Sequence, residues 1–219
     1  MSLLVFLSYS HIDRRLASGL KVGLEHYGFE VFLAHKDLTP SVEWQKAILK
    51  NLKVCQIFVP LLTKNFEDSA WTDQETGAAI ILGKVIVPIR IDLVPYGFIH
   101  KYQALNMPKK INRGACWRIV KILARKKAIR NCVLDGYISV CLASSSFKEA
   151  AANFANLVEL APFSSLQLDR ILEGCASNHQ INRSWGSWPH IESLIENGGA
   201  TVQKRLVKAY RKKVKEWKA

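Results

Sequence analysis

Short apolar runs alternate with helix-like segments over the first 91 residues, and this alternation constrains the fold more than any other feature. After the first run, Leu16, Leu20 and Leu24 recur every four residues, which is the spacing of a helix core stripe. Strands that alternate with helices predict an α/β fold, a flavodoxin-like parallel sheet with helices on both faces. The predicted strands are 3–9, 29–34, 54–62 and 84–91, and the second predicted helix is 41–52.

The carboxyl ends of the predicted strands form the edge at which ligands bind in sheets of this kind. Ser8 and Tyr9 lie at the end of the first strand, and Glu75 lies beyond the end of the third. The loop 34–41 follows the second strand. We therefore expect these three regions along one edge of the sheet.

Residues 68–79, "DSAWTDQETGAA", predict the start of a helix on which Trp71 and Glu75 share a face at i and i+4. A carboxylate near the reacting atoms can stabilise a cation or capture it covalently, as cleavage of a glycosidic bond requires. Asp73, two residues before Glu75, faces elsewhere on the helix. The alternative is a surface carboxylate beside a packed tryptophan.

Several other chemistries lack their motifs. The chain has no G-x-x-x-x-G-K-[ST] loop and no G-x-G-x-x-G after a strand, which excludes two common phosphate-binding fingerprints. A phospho-receiver needs acidic residues where this chain reads "SYSH" and "PLLT". The six histidines and five cysteines show no H-x-x-x-H or C-x-x-C spacing, so we predict neither a metal site nor a disulfide framework.

Charge and helical pattern divide the chain into two parts. Residues 1–108 hold 11 Lys and Arg against 10 Asp and Glu, whereas residues 109–219 hold 20 against 8. From about residue 131 the pattern is helical only. These features predict an α/β domain over 1–130 and a smaller, basic, all-helical module over 131–219. No apolar run is long enough to span a bilayer without interruption, so we expect a soluble, cytoplasmic protein.

The last segment, 201–219, combines an apolar stripe with many Lys and Arg residues. Such a helix could bind nucleic acid, an acidic partner or an anionic membrane surface. The simpler alternative is that the stripe packs on the preceding helices, in which case we expect Trp217 to be buried. The stripe consists of Val202, Leu206, Tyr210, Val214 and Trp217.

Four segments together resemble the Toll/interleukin-1 receptor (TIR) domain, over about residues 3–130. They are "VFLSYSHID" (5–13), "GFEVFLAHKDLTPSVEW" (28–44), "SAWTDQE" (69–75) and "GKVIVPIRI" (83–91). The resemblance implies the TIR fold for this part of the chain.

The same resemblance implies an activity. In the enzymatic members of the family, the Glu of S-x-W-x-x-x-E cleaves the bond between nicotinamide and ribose in NAD⁺. Here that residue is Glu75, and Ser69 and Trp71 complete the motif. NAD⁺ is then the substrate, the product is ADP-ribose or a cyclic ADP-ribose-like molecule, and no cofactor or metal is implied.

The resemblance also implies a set of residues that bind the dinucleotide. For Trp71, Tyr9 and Phe32 the alternative is ordinary core packing. For Asp37 the alternative to binding the dinucleotide is a role in the turn before Thr39 and Pro40. The implied substrate-binding residues are Ser8, Tyr9, Ser10, Phe32, Asp37 and Trp71.

Two positions depart from the family pattern. Thr72 stands where a Cys commonly follows the motif Trp, and Ser41 stands where a Gly often follows the loop Pro. The second departure affects the conformation expected of the loop, because Gly tolerates backbone angles that Ser resists.

Compact TIR enzymes resemble the signal-producing proteins of prokaryotic antiviral defence, a form of innate immunity in which a cyclic product activates a separate effector protein. Their active sites often assemble between subunits, so the resemblance implies a homo-oligomer formed through TIR–TIR contacts. Two alternatives remain: a non-enzymatic interaction adaptor, and a nucleic-acid-linked sensor that uses the basic C-terminal half.

Overall fold

A computed structural model describes residues 3–34 and 44–218. The loop predicted to follow the second strand, with Asp37 and Ser41, lies outside these residues. The strands are β1 (Leu4–Ser8), β2 (Glu30–Leu33), β3 (Ile57–Leu62), β4 (Val85–Ile86), β5 (Ile89–Arg90) and β6 (Leu105–Asn106). The helices are α1 (Arg14–Glu25), α2 (Trp44–Val54), α3 (Lys64–Glu67), α4 (Ala70–Ile81), α5 (Arg113–Ala124), α6 (Arg130–Leu142), α7 (Phe147–Val158), α8 (Ser165–Ser177), α9 (His179–Asn182), α10 (Trp188–Gly198) and α11 (Lys204–Lys218).

All the strand pairs are parallel, in the order β2-β1-β3-β5-β6, and β4 also pairs with β3. β4 lies beside Ile57 and Phe58, and β5 lies beside Leu61 and Leu62, so the two are pieces of one strand. Pro88 lies at the break, where it has no N–H to donate. Counted as one strand, they give the flavodoxin-like order 2-1-3-4-5, and the predicted fold is confirmed.

The centre of the sheet is apolar on both faces, because helices cover both. β3 is buried along its whole length, and β1 is buried from its second residue onward. Phe6 of β1 lies between Phe32 and Phe58, with ring centroids 5.3 Å and 5.8 Å away. α1 packs against α5, and α2 packs against α4.

The boundaries of several elements differ from the prediction. The third strand begins at Ile57 instead of residue 54, because α2 continues to Val54. The apolar spacing of residues 115–130 predicts a further amphipathic helix. In the structure this helix is α5, which begins at Arg113, after the Asn112 side chain accepts a hydrogen bond from the Ala115 N–H at 2.8 Å. The sequence did not predict β6, because a two-residue strand leaves no alternating or continuous apolar run.

The chain divides into two compact units, residues 1–129 and 130–219, and the second consists of helices α6 to α11. Ser164 starts α8 with a capping box, in which its side chain and that of Gln167 bond reciprocally to backbone N–H groups. Leu206 and Tyr210 of α11 are buried, and α11 contacts α8. Trp217 is 37% exposed, so the expectation that it is buried was wrong. None of the described helices is long and apolar enough to cross a membrane.

The positive charge is distributed differently from the two predicted domains. Residues 109–129 hold eight Lys and Arg and no acidic residue, and they belong to the first unit. In the second unit, residues 204–218 hold eight basic residues and one acidic residue, whereas residues 130–203 hold four and seven. The basic character predicted for the whole C-terminal module is therefore confined to α11.

Candidate active site

A buried carboxyl group lies against the carboxyl end of the central strand β1. The Ser8 hydroxyl, at the last residue of β1, donates a hydrogen bond of 2.6 Å to Oε2 of Glu75 in α4. Ser8 is 0% exposed and Glu75 is 2% exposed. The structure thus brings together two of the predicted site residues, 67 positions apart in the chain.

The start of α4 fixes where Glu75 lies. Ser69 is the N-cap residue of α4, and Thr72 is buried in its first turn. The Thr72 hydroxyl lies 2.7 Å from the Phe66 carbonyl oxygen and 2.6 Å from the Ser69 carbonyl oxygen, to which it donates. Thr72, which departs from the family pattern, therefore ties α4 to the short helix α3.

The environment of Glu75 favours the neutral carboxyl group. Burial raises its pKa from 4.5 to about 7, and the hydrogen bond from Ser8 opposes that rise. Its second oxygen, Oε1, is buried and has no hydrogen-bond partner among the described residues. A buried oxygen without a partner is a costly feature, and such groups occur where a ligand or a reacting group completes the site.

The other predicted residues occupy different environments. Tyr9 and Ser10 are buried directly after β1, and Trp71 is half-buried one helical turn before Glu75. Phe32 packs in the hydrophobic core with Phe6, so its contact with a nucleotide stays a prediction. Asp37 lies outside the described residues.

Asp73 points away from this site, as its spacing from Glu75 predicts. It is exposed, and it accepts a hydrogen bond of 2.6 Å from the Tyr96 hydroxyl. Burial, together with this carboxylate, raises the pKa of Tyr96. Asp73 therefore takes no part in the Glu75 site.

A second feature of the same sheet edge was missed by sequence reasoning. A cleft of about 870 Å³ lies at the ends of β3 and β5. In this cleft the Asp13 carboxylate accepts hydrogen bonds from the Thr63 hydroxyl at 2.6 Å and from the Asn65 amide at 3.2 Å. The Lys109 Nζ atom lies 3.4 Å from Oδ2 of Asp92. These residues come from four separate segments, and the only signal in the sequence is that some of them follow predicted strands.

Comparison with known proteins identifies the family. Residues 5–115 match the TIR domain, which is half of the chain. This chain belongs to the TIR domain family. TIR domains act in signalling, some as interaction adaptors and some as enzymes that cleave NAD⁺.

Among solved structures, the TIR domain of the Toll-related Receptor TRR-2 from the lower metazoan Hydra magnipapillata is similar to this TIR domain. The two share 22% sequence identity with a TM-score of 0.42, and the match covers 58% of this chain and 96% of the Hydra chain. A search of curated proteins found no match.

Proposed function

We propose that this TIR protein cleaves the bond between nicotinamide and ribose in NAD⁺, with Glu75 as the nucleophile or the stabiliser of the cation. The observation that supports this proposal is the state of the Glu75 carboxyl group. One oxygen is held by Ser8, and the other is buried and has no partner among the described residues.

This arrangement suits a reaction that needs a single carboxylate. Nicotinamide leaves NAD⁺ as a neutral base, so the leaving group requires no general acid. The ribose that remains has the character of an oxocarbenium ion, which a carboxylate oxygen stabilises or captures. Oε2 is occupied by Ser8, so Oε1 is the oxygen assigned to face the anomeric carbon.

The raised pKa of Glu75 fits the same proposal. The reaction requires the ionised carboxylate, and a pKa of about 7 means that both forms are populated near neutral pH. The bound substrate carries a positive charge on its nicotinamide ring, and an opposite charge nearby favours ionisation. Substrate binding therefore lowers the pKa of Glu75 and produces the reactive form.

The fate of the ribosyl group determines the product. Transfer to water gives ADP-ribose, and transfer to an atom of the same molecule gives a cyclic product. Exclusion of water from the site favours cyclisation. We propose that the product acts as a signal for a separate effector in antiviral defence, and that the active protein is a homo-oligomer formed through TIR–TIR contacts.

The experiment that tests this function compares wild-type protein with Glu75→Gln, which keeps the shape of the side chain and removes its charge. Concentrated protein is incubated with NAD⁺, and the products are identified by mass spectrometry. We expect wild type to release nicotinamide and Glu75→Gln to release none. Glu67→Gln, the same substitution at an exposed position in α3, is the matched control and is expected to keep activity.

A second candidate function is that of an interaction adaptor. At the end of α4, Ile81 is 87% exposed and its neighbour Leu82 is 42% exposed, which leaves apolar side chains available for a contact with another TIR domain. If wild type forms oligomers that Ile81→Ser dissociates, while no NAD⁺ is consumed at any protein concentration, the adaptor function replaces the enzymatic one.

A further inference from the structure

Three tryptophans form an aromatic cluster in the second unit, in which Trp185 and Trp217 are exposed and Trp188 is half-buried. Trp185 and Trp188 are stacked, with centroids 5.8 Å apart and planes 21° from parallel. Trp217 meets both edge-on, at 6.1 Å and 5.9 Å. With Pro189, the three rings line a cleft of about 600 Å³.

The cluster is partly exposed although the segment that carries it is held firmly. Trp185 is 68% exposed. On either side of it, the buried hydroxyl of Ser184 donates to the Phe147 carbonyl at 3.0 Å, and that of Ser187 donates to the Ile181 carbonyl at 2.9 Å. An anchored loop that presents a large apolar ring to solvent is typical of a binding surface, because such a ring is otherwise buried.

The helix that supplies Trp217 is also the basic element of this unit. Five of its cationic side chains line a second cleft, of about 730 Å³. Three of the five, Lys204, Lys208 and Lys215, form no ion pair with any residue that the structure describes. The five are Lys204, Lys208, Arg211, Lys212 and Lys215.

We propose that this surface binds single-stranded nucleic acid, with the phosphates along α11 and bases stacked on the cluster of Trp185, Trp188 and Trp217. Cationic side chains that follow the backbone, combined with aromatic rings that stack on bases, are the features of single-strand binding. The proposal concerns the second unit alone and is independent of the proposed cleavage of NAD⁺.

Two other anionic partners fit the surface less well. A membrane-binding helix inserts a continuous apolar face, but Leu206 and Tyr210 of the apolar stripe of α11 are buried in the unit, which leaves the C-terminal end of the stripe, with Trp217, to insert. An acidic protein would match the charge of α11, but acidic side chains are not regularly accompanied by aromatic rings, whereas every nucleotide joins a phosphate to a flat base. Nucleic acid uses both features.

The test measures the binding of a fluorescein-labelled oligothymidylate to the full chain by fluorescence anisotropy, with inorganic polyphosphate as a polyanion that lacks bases. We expect tighter binding of oligothymidylate than of polyphosphate. Trp185→Ala should weaken oligothymidylate binding about ten-fold, the effect of losing one stacked base, and leave polyphosphate binding unchanged. Trp185→Phe, which keeps a ring, should restore most of the affinity.

A charge variant tests the role of α11. The double variant Lys208→Glu, Lys215→Glu should weaken the binding of both polyanions and reduce the salt dependence of binding. Lys46→Glu with Lys50→Glu on α2 makes the same change in net charge at exposed positions elsewhere, and Leu166→Ala removes an apolar side chain that is 80% exposed. Both controls are expected to bind as wild type does.

Three results would overturn the proposal. The first is equal affinity for oligothymidylate and polyphosphate, which would show that bases make no contact. The second is unchanged binding by Trp185→Ala when its thermal unfolding matches that of wild type. The third is binding of phosphatidylserine vesicles, or of polyglutamate, that Trp185→Ala weakens and excess oligothymidylate does not displace, which would show that the tryptophan cluster serves another partner.

Discussion

At the scale of single residues, the contact between Ser8 and Glu75 couples the candidate activity to stability. Folding transfers the Glu75 carboxyl from water into a site where it is 2% exposed and one oxygen lacks a partner among the described residues. Such a group stays neutral unless something compensates its charge. The protein therefore holds a carboxyl whose ionisation destabilises the fold and which the proposed reaction requires in its ionised form.

This conflict predicts a specific dependence of stability on pH. The pKa of Glu75 is about 7 in the folded protein against a usual value of 4.5, so the folded state holds the carboxyl proton more tightly than the unfolded state does. The stability that comes from the protonated carboxyl is fully present below pH 4.5 and is lost as pH rises through 7. Glu75→Gln cannot ionise, so at pH 8 it should be more stable than wild type by up to about 3 kcal/mol. Urea unfolding at pH 4.5 and pH 8 measures this, with Glu67→Gln as the control. Identical pH dependence of wild type and Glu75→Gln would contradict the buried, neutral carboxyl.

Ser8 is predicted to set the pH range of activity. Its hydroxyl donates to Glu75, and a hydrogen bond to the ionised form lowers the pKa of a carboxyl. Ser8→Ala should raise the pKa of Glu75 and move the rise of NAD⁺ cleavage to higher pH by about one unit. Carbon NMR titration of Glu75 gives the same pKa without any turnover. Ser10→Ala, a neighbouring buried serine, is expected to leave the midpoint of the pH profile unchanged.

At the scale of elements, the start of α4 is where a local contact positions the candidate catalytic residue. Thr72 joins α4 to α3 through the carbonyl groups of Phe66 and Ser69. Helix residues C-terminal to this point, including Glu75, follow the orientation that the first turn adopts.

Thr72→Val is therefore predicted to affect both stability and activity. It keeps the shape of the side chain and removes the hydroxyl, so we expect a loss of about 1–2 kcal/mol in the free energy of unfolding. A shift of α4 relative to Ser8 should also lower the rate of NAD⁺ cleavage. Thr72→Ser, which keeps the hydroxyl, should retain more activity than Thr72→Val. Full activity of Thr72→Val would show that other contacts position Glu75.

At the scale of the whole molecule, the chain consists of two units, each with its own buried residues. Val5, Leu7 and Phe58 lie in the core of the first unit, and Phe154 and Leu172 lie in that of the second. Units with separate cores unfold independently unless a large apolar interface couples them.

We accordingly predict two thermal transitions that respond to different substitutions. Ser164→Ala removes the N-cap of α8. It should lower the midpoint temperature of one transition by an amount that corresponds to about 1 kcal/mol in the free energy of unfolding. Thr72→Val should lower the other. Differential scanning calorimetry of both variants measures this, and NAD⁺ should raise only the transition that responds to Thr72→Val. A single transition, lowered equally by both substitutions, would contradict independent units.

The sequence by itself determined the fold class, and its resemblance to the TIR family singled out Glu75 as the candidate catalytic residue. Buried parallel strands must be apolar on both faces. β1 and β3 therefore appear in the sequence as continuous apolar runs, which can be recognised without a structure. The spacing of Trp71 and Glu75 on one helix follows from local backbone geometry. Local rules of this kind are expressed in neighbouring residues, so they can be predicted.

Only the tertiary structure decided which distant groups meet. The hydrogen bond from Ser8 to Glu75 joins residues 67 positions apart, and the raised pKa of Glu75 depends on burial by the whole fold. The cluster of Trp185, Trp188 and Trp217 likewise forms because α11 returns to the loop before α10. Long-range proximity and exclusion of solvent are properties of the packed chain, and no short segment of sequence encodes them.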